Sequence, residues 1–271
     1  MTTIRNLCYR TDAIFHLRDG FVEEFADHYA IRTPSNPTFW FGNFILFKQA
    51  PTKGDFSRWL EIHRQTFSTT LNHITLGWDE DHPGVTDEFL DAGFEVHDGI
   101  SLSMAAYESG ARINPALVVR KLRSDSEWKQ MVDLQIEIDR EDFDQGNDGG
   151  VFRTTQMKSL RTMAEEGHGD WWGAFHRDSE ELVGGMGLYF DADRTIGRFQ
   201  YVTTRSSYRR QRVCTTLLDH VVRHAFERVQ PEQLVISTGA DDNNPAIQVY
   251  QNFGFSPADR SYALTKRRDS Q

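Results

Sequence analysis

The chain has 271 residues, of which 38% are hydrophobic and 12% aromatic, and this suits about two folded domains rather than a disordered protein. Its formal net charge of −10 at pH 7 argues against nucleic acid as the main partner and leaves cationic small molecules open. No apolar run is long enough for a transmembrane helix and the start lacks the apolar segment of a signal peptide, so we expect a cytoplasmic protein with no membrane partner.

The first half of the chain shows alternating strand and helix patterns. "FGNFILF" (41–47) predicts a strand, and after "KQAPTKGD" a helix begins near Phe56 with Asp55 as its N-cap, because apolar residues recur there at helical spacing. "HITLGWDEDHPGVTDEFLDAGF" (73–94) then predicts a strand, an acidic turn and a short helix with an aromatic-x-x-x-Gly-Phe ending, and the strand-like "EVHDGISLSMAAY" follows.

A polar linker, "ESGARINPA" (108–116), separates this region from a second one, and we place the domains at 1–110 and 111–271. The second region opens with a strand, "LVVRKL", and a helix that starts with a capping box formed by Ser124 and Glu127. An acidic loop, a second helix and a hairpin come next. The predicted order is β-α-α-β-β-β-α-β-α-β, which is an α/β fold with a mixed sheet flanked by helices.

The two regions resemble each other. "LVISTGADDNNPAIQVYQNFGF" (234–255) repeats the pattern of 73–94, with one insertion or deletion between them, and a strand-like tail follows both. The glycines, prolines and Gly-Phe endings fall in register, which favours an internal repeat. The alternative is that two α/β domains share a strand–helix–strand rhythm by chance.

The junction between "GRFQYVTT" (197–204) and "YRRQRVCTTLLDHVV" (208–222) is a candidate anion site, because a strand–loop–helix junction offers free backbone N–H groups and a helix dipole. Glycine is usual where such a backbone closes on phosphate, but Arg212 stands here. A side chain at positive φ costs roughly 1–2 kcal/mol, and a guanidinium beside phosphate returns a comparable amount. We therefore predict a modified but working phosphate loop.

With Asn243, Ala246, Tyr250 and Gly254-Phe255 added, the second region resembles the GNAT superfamily of N-acetyltransferases. The family pattern is a strand, Arg/Gln-x-x-Gly-x-Gly/Ala and a helix, followed by Asn, Ala, Tyr and Gly-Phe. The first region resembles only the closing part of this pattern. The resemblance implies two tandem GNAT-like domains, the first of them degenerate. Its matching loop, "APTKGDF", is shorter and holds a single lysine, so we expect it to bind no cofactor.

The resemblance also implies roles for individual residues, with acetyl-CoA as the cosubstrate. Strand residues would pair with the pantetheine arm, the loop and first helical turn would cradle the pyrophosphate, and Tyr250 would protonate the leaving thiolate. The implied cofactor-binding residues are Val202, Thr203, Thr204, Arg209, Arg210, Gln211, Arg212, Val213, Cys214, Thr215 and Asn243. No metal is expected, since the histidines show no H-x-x-x-H pair and Cys8 and Cys214 have no zinc spacing.

Several alternatives stay open at this point. Tyr250 can equally be a packed aromatic ring, as Phe89 must be in the first region. Many relatives carry a glutamate as general base where Gln200 stands, which leaves water or a carboxylate such as Asp191 or Asp193 for that role; these two are also ordinary turn residues.

The acidic loop "DREDFDQGND" (139–148) is expected to hold a small cationic amine through Asp142 and Asp144, or else to be a solvated charge run. The predicted function is acetyl-CoA-dependent transfer of an acetyl group to a primary amine. The alternative is a non-catalytic protein of the same fold that binds acyl-CoA or a partner. The sequence leaves the oligomeric state open.

Overall fold

The computed structural model describes residues 3–67, 71–108, 110–142, 149–241 and 243–268. The chain forms two compact units. The first consists of Met1–Leu102, Ser237–Ile247 and Pro257–Gln271, and the second of Ser103–Ile236 and Gln248–Ser256. The C-terminal strand thus belongs to the unit built mainly from the first half. The division predicted at residue 110 concerns the repeat along the sequence and stays a prediction.

The first unit is a mixed sheet flanked by helices, with the strand order β1-β2-β3-β4-β11-β5. β3 and β4 are parallel, whereas β1–β2, β2–β3 and β4–β11 are antiparallel pairs. The elements whose residues lie wholly or mostly in this unit are α1 (Leu7–Asp19), β1 (Phe21–Glu24), β2 (His28–Arg32), β3 (Phe44–Phe47), α2 (Asp55–Phe67), β4 (His73–Trp78), α3 (Asp87–Asp91), β5 (Glu95–Met104) and β11 (Ser256–Arg267).

Aromatic rings fill the core of the first unit. The rings of Phe47 and Trp59 stack with their centroids 3.8 Å apart, and Trp59 and Phe89 lie 5.6 Å apart. Trp59, His63 and Phe67 are the buried residues of α2, so the helical spacing seen in the sequence is the spacing of its buried face.

Two expectations for the first unit need correction. The strand predicted at 41–47 begins only at Phe44, because residues Trp40–Gly42 form a 3₁₀ turn. Asp55 is the first helical residue rather than the N-cap, and its carboxylate accepts hydrogen bonds from the backbone N and the hydroxyl of Thr52 at 2.8 and 2.7 Å. The helix α1 and the hairpin of β1 and β2 were not predicted.

The second unit is also a mixed sheet flanked by helices, with the strand order β10-β9-β8-β7-β6. β6, β7, β8 and β9 form antiparallel pairs, and β9 and β10 are parallel. Its elements are β6 (Leu117–Lys121), α4 (Asp125–Asp142), α5 (Gly149–Glu165), β7 (Gly169–His176), β8 (Leu182–Phe190), β9 (Ile196–Thr204), α6 (Val213–His224), β10 (Gln233–Gly239) and α7 (Pro245–Phe253), of which β10 and α7 each give three residues to the first unit.

The predicted order of elements in the second half is confirmed, from β6 through to β11. The capping box is confirmed as well, because the Ser124 backbone N donates to Glu127 Oε2 at 3.1 Å and the Glu127 backbone N donates to Ser124 Oγ at 3.3 Å. None of the helices in the described part of the chain has the length and apolar character needed to cross a bilayer.

Two glycines of β8 allow helices to lie directly on the sheet. A Cβ at Gly184 would come within 2.7 Å of Val213 Cγ1, and one at Gly185 within 2.1 Å of Met131 Cε. A larger residue at either position would have to displace these side chains of α6 or α4. Because Val213 is the first residue of α6, the contact at Gly184 fixes the start of that helix against the sheet.

Candidate active site

The strand β9 is irregular where the sequence predicted contacts with a pantetheine arm. Gly187 pairs with Gln200 and Gly185 pairs with Thr203, so Met186 of β8 faces two residues of β9, Tyr201 and Val202. Tyr201 has a φ of 45°, as expected for a residue in a bulge. The bulge turns the strand just before the predicted cofactor loop.

Beyond this irregularity, one edge of β9 is open within its unit. In the described residues of the second unit, β9 pairs with β10 only at Ile196, Gly197 and Arg198. In this unit the backbone of Thr203 and Thr204 therefore pairs with β8 alone, and Val202 lies in the bulge. Such an edge can accept an extended, amide-containing ligand as an added strand.

The α6 loop (205–212) closes with two non-glycine residues in the left-handed region. Arg212 has φ 61° and ψ 24° and is the N-cap of α6, and Arg210 has φ 63°. Arg212 thus has the backbone conformation that glycine provides most easily, as its place in the sequence pattern predicts. The Arg212 side chain makes no capping hydrogen bond. The N–H groups of the first turn, which have no acceptor within the helix, are therefore not satisfied by the N-cap side chain.

The cationic side chains of the α6 loop meet carboxylates of α4. Arg205 Nη1 lies 2.9 Å from Glu137 Oε2, and Arg209 Nη2 lies 3.5 Å from Glu141 Oε2. Glu141 also accepts a hydrogen bond from the Ser206 hydroxyl. These contacts hold the loop to α4, whereas Arg210 and Arg212 are exposed at the helix N-terminus.

The segment before β6 holds the loop from its other side. Asn114 Nδ2 donates to the carbonyl of Gln211 at 2.9 Å, and the Asn114 backbone N donates to Thr216 Oγ1 at 2.9 Å. Thr216 Oγ1 in turn donates to the carbonyl of Arg212 at 2.7 Å. Nothing in the sequence motif singled out Asn114, because its partners lie about 100 residues further along the chain.

Tyr250 lies on α7 beside the first turn of α6. Its side chain is buried, and burial raises the pKa of its phenol well above the usual value, with a further contribution from the neighbouring Cys214 thiol. Burial also raises the pKa of Cys214 to about 12, so this cysteine is a neutral thiol near pH 7. The structure therefore brings Tyr250 close to Cys214, which lies in the first turn of α6.

Asn243 is the predicted cofactor residue that lies in the other compact unit, within Ser237–Ile247. It is exposed, and its backbone N donates to Asp241 Oδ1 at 2.8 Å. Its role in binding the cosubstrate stays a prediction.

A buried polar network lies beside the β9 bulge. Arg153 forms a bidentate pair with Asp139 (2.6 and 2.8 Å) and donates to Gln156 Oε1 at 2.8 Å. Gln156 Nε2 donates to the hydroxyl of Tyr201, and the Arg153 guanidinium lies 4.4 Å from the centre of the Tyr201 ring. Sequence reasoning missed this network, because Asp139, the Arg153–Gln156 pair and Tyr201 lie far apart in the chain and form no motif.

The acidic segment is only partly described. Asp139 and Glu141 are engaged with Arg153 and with Arg209 and Ser206, so neither is an unpaired carboxylate. Asp144 lies outside the described residues, as does the side chain of Asp142. Their predicted contact with the acceptor stays a prediction.

Asp191 and Asp193, the two aspartates considered as general bases, both lie in the turn between β8 and β9. Asp191 accepts hydrogen bonds from the Thr195 hydroxyl at 2.8 Å and from the Ile196 backbone N at 3.0 Å, so it shapes the turn between β8 and β9. Asp193 lies in the same turn, at the end of the hairpin opposite to the α6 loop. Gln200 is part of the strand next to the bulge.

Residues 128–255 match the model of the acetyltransferase (GNAT) family. The chain therefore carries a GNAT acetyltransferase domain in its second half, as the sequence motif predicts. This family transfers acetyl groups from acetyl-CoA, its cosubstrate. In the described part of the chain, no group of three or more His, Cys, Asp or Glu side chains is arranged to hold a metal ion.

Solved structures share the fold of the whole chain. A functionally unknown conserved protein from Staphylococcus epidermidis ATCC 12228 has a TM-score of 0.72 at 11% identity, covering 93% of this chain and 96% of that one. A GCN5-related N-acetyltransferase from Kribbella flavida has a TM-score of 0.64 at 13% identity, covering 96% of both chains. A tandem GNAT protein from the clavulanic acid biosynthesis pathway has a TM-score of 0.56 at 17% identity, covering 85% and 81%.

At these identities the likeness shows the fold alone, and it confirms the predicted fold of two tandem GNAT-like domains. No curated protein matches the chain by sequence.

Proposed function

We propose that this protein transfers the acetyl group of acetyl-CoA to a primary amine of a small cationic acceptor. The observation that carries the proposal is the buried phenol of Tyr250 beside the uncapped first turn of α6. A proton donor would thus lie next to a helix N-terminus that can bind an anion. Acetyl transfer from CoA uses both, the first to protonate the leaving thiolate and the second to bind the pyrophosphate.

Three features support binding of the cosubstrate by the second unit. The N-terminus of α6 offers free N–H groups and the positive end of the helix dipole to a pyrophosphate. Arg210 and Arg212 add positive charge at the same place. The open edge of β9 at Val202–Thr204 can pair with the two amides of the pantetheine arm.

The proposed reaction forms a C–N bond and breaks a C–S bond. The neutral amine attacks the thioester carbonyl carbon and loses one proton to water, and the leaving thiolate takes one proton from Tyr250. The high pKa of Tyr250 keeps its phenol protonated at neutral pH. A thiolate released near Cys214 would be more basic than in water, for the same reason that burial raises the pKa of the Cys214 thiol to about 12. Tyr250 then regains its proton from solvent.

The cationic nature of the acceptor rests on charge at the C-terminal end of α4. The helix ends at Asp142, where the negative end of its dipole favours a cation, and the sequence adds Asp142, Asp144 and Asp148. Because the described carboxylates nearby are paired, Asp142 and Asp144 are the proposed contacts. A cytoplasmic location and the absence of a nucleic-acid partner remain predictions from composition.

A screen of amines with acetyl-CoA, read out by release of free thiol, tests the proposed function. We expect turnover with at least one cationic primary amine, rising with pH as the amine loses its proton. Binding of acetyl-CoA without thiol release across the panel would favour the alternative, a non-catalytic protein that binds acyl-CoA.

The acceptor contact can be tested by replacing Asp142 and Asp144 with Asn. We expect a higher KM for the acceptor, with the smallest change at high salt, and little change in the KM for acetyl-CoA. The matched control is Asp178→Asn with Asp193→Asn, which removes the same charge from exposed turns of the same unit. A neutral or anionic best acceptor, or a double variant that is silent at low salt, would contradict this part of the proposal.

A further inference from the structure

Two arginine–carboxylate pairs involve the last turn of α4, and they differ in how easily a ligand can break them. Arg153 and Asp139 form a bidentate pair whose side chains are 8% and 16% exposed. The side chains of Arg209 and Glu141 meet at 3.5 Å and are 48% and 38% exposed. An exposed ion pair contributes little to stability, whereas breaking a buried one is costly. The pair of Arg209 and Glu141 is therefore the one that can exchange its partners.

We propose that Glu141 is an exchangeable contact shared by the two substrates of the reaction. In the free protein its carboxylate binds the Arg209 guanidinium. When the phosphates of acetyl-CoA bind Arg209, Glu141 is released and binds the cationic acceptor instead. The inference rests on the proposed function, since it takes Arg209 as a contact of the cosubstrate and a cation as the acceptor.

The phosphates of the cosubstrate can compete with Glu141 for Arg209. Arg209 lies in the α6 loop ahead of Val213, the first residue of α6, where the positive end of the helix dipole favours an anion. A pyrophosphate carries more negative charge than one carboxylate and accepts charge-assisted hydrogen bonds from a guanidinium. The helix terminus thus stabilises a phosphate beside Arg209, which Glu141 on α4 must do without.

The released carboxylate favours a new cation. Glu141 is the last residue but one of α4, so its charge lies at the negative end of the helix dipole, where a cation is stabilising. The structure already shows a cation at this place, because the Arg209 guanidinium occupies it. Asp142, one of the proposed acceptor contacts, is the next residue of the helix. An acceptor held by Asp142 would therefore lie beside the carboxylate that Arg209 has left.

Other contacts hold the α6 loop during the exchange. Arg205 Nη1 lies 2.9 Å from Glu137 Oε2, and Arg205 Nε lies 3.5 Å from Glu181 Oε1. The Tyr208 hydroxyl donates to Glu181 Oε2 at 2.9 Å. None of these contacts involves Arg209 or Glu141, so the loop can keep its position while Arg209 changes its partner.

The exchange couples the binding of the two substrates. Because bound phosphate frees Glu141 for the acceptor, each substrate should raise the affinity of the other by the same factor. Removing the charge of Glu141 should then strengthen cosubstrate binding and weaken acceptor binding. A purely structural role for Glu141 predicts weaker cosubstrate binding, since the α6 loop would lose a contact.

Calorimetric titrations of the full chain at low salt test the proposal, with CoA, which carries the same phosphates as acetyl-CoA but no acetyl group, and with 1,4-diaminobutane as the acceptor probe. The test variant is Glu141→Gln, whose amide oxygen can still accept the hydrogen bond from the Ser206 hydroxyl. It should bind CoA about two- to fivefold more tightly than the wild type does, because Arg209 has lost its competing carboxylate. The wild type should bind 1,4-diaminobutane about threefold more tightly with CoA than without it, and Glu141→Gln should show no such difference.

Asp133→Asn is the matched control, because Asp133 is an exposed carboxylate of the same helix and pairs with Lys129 at 2.6 Å. It should change neither affinity. The exchange is overturned if Glu141→Gln binds CoA no more tightly than the wild type, or if CoA does not change the wild type's affinity for 1,4-diaminobutane. Turnover in the amine screen would leave the proposed function standing in either case. If the wild type binds no CoA, the exchange and the proposed function both fail.

Discussion

The α2 loop (48–54) and the α6 loop occupy matching places in the two repeats, but their backbone N–H groups have different partners. In the first, the N–H of Thr52 donates to the Asp55 carboxylate at 2.8 Å and that of Gly54 donates to Glu88 Oε1 at 3.2 Å. In the second, the side chain of the N-cap residue Arg212 makes no hydrogen bond to the helix N-terminus. The chain's own carboxylates thus occupy in one repeat the kind of site that the other keeps open for an external anion.

A second matched pair is Phe89 and Tyr250, which precede the Gly-Phe ending of each repeat. Phe89 is 1% exposed and Tyr250 is 5% exposed, so both rings are core residues of their own unit. Phe89 packs 5.1 Å from Phe56 and 5.7 Å from Phe94. Packing accounts for an aromatic ring at this place but not for a hydroxyl, and only the repeat with the open helix terminus has one.

The largest effect should follow from removing that hydroxyl. Tyr250→Phe should lower turnover by about 10²-fold or more, with acetyl-CoA affinity nearly unchanged, because only the proton donor is lost. Steady-state kinetics and calorimetry check both parts. Tyr189→Phe is the control, since Tyr189 is another buried tyrosine of this unit and its hydroxyl donates to the Leu160 carbonyl. Equal turnover by the wild type and Tyr250→Phe would show that Tyr250 serves only in packing.

The next largest effect concerns the charges of the two loops. Arg209→Ala combined with Arg210→Ala should weaken acetyl-CoA binding about tenfold or more and flatten its dependence on salt, because ion pairs with phosphate are screened. Lys53→Ala should leave the affinity unchanged. Titrations at two salt concentrations give both results, and an equal loss from Lys53→Ala would show that the first repeat also binds the cosubstrate.

A smaller effect is expected on the free energy of unfolding in acid, because the first unit contains two buried histidines. In the first unit, burial lowers the pKa of His63 to about 3 and that of His73 to about 4. Both imidazoles are neutral in the folded protein near pH 6.5. As the pH falls below 6.5, the unfolded chain binds protons before the folded protein does, so the free energy of unfolding decreases from there downward. Between pH 6.5 and 5 this costs about 1.5 kcal/mol for each histidine.

Chemical denaturation at pH 7 and at pH 5 checks this effect. His63→Gln should lose less free energy of unfolding between the two pH values than the wild type does. His82→Gln, at an exposed histidine of the same unit, should behave like the wild type. An acid loss that is the same in all three proteins contradicts the account of His63.

The smallest effect is expected for Arg212→Gly. The substitution removes the backbone strain of a non-glycine residue in the left-handed region, which is about 1 kcal/mol, but it also removes a cation beside the proposed pyrophosphate site. Because the strain is relieved whether or not acetyl-CoA is bound, the relief should raise the free energy of unfolding, and the loss of one exposed cation should lower acetyl-CoA affinity by less than tenfold. Lys53→Gly is a matched loss of charge in the first repeat and should leave affinity unchanged. A hundredfold change from Arg212→Gly in either direction would contradict this reading of the loop.

The features that could be predicted from the sequence are those that local patterns of residues determine. The order of elements in the second half, the capping box at Ser124 and the unusual place of Arg212 all depend on spacing within a few residues. The positive φ of Arg212 follows from its place where glycine is usual, whereas nothing local marked Arg210 as a second such residue.

Long-range contacts were beyond the sequence pattern. α1 follows no strong apolar period, and β11 pairs with β4 nearly 200 residues away. The network of Arg153, Gln156 and Tyr201 and the bonds of Asn114 to the α6 loop likewise depend on tertiary structure, so no motif marked them.

The difference between the two loops is tested most directly by the stoichiometry of acetyl-CoA binding to the full chain, measured by calorimetric titration. We predict one acetyl-CoA per chain, because only the α6 loop leaves its helix terminus open to an external anion. Two molecules per chain would show that the carboxylates of Asp55 and Glu88 do not close the first loop. No binding of acetyl-CoA at all would contradict the account of the α6 loop.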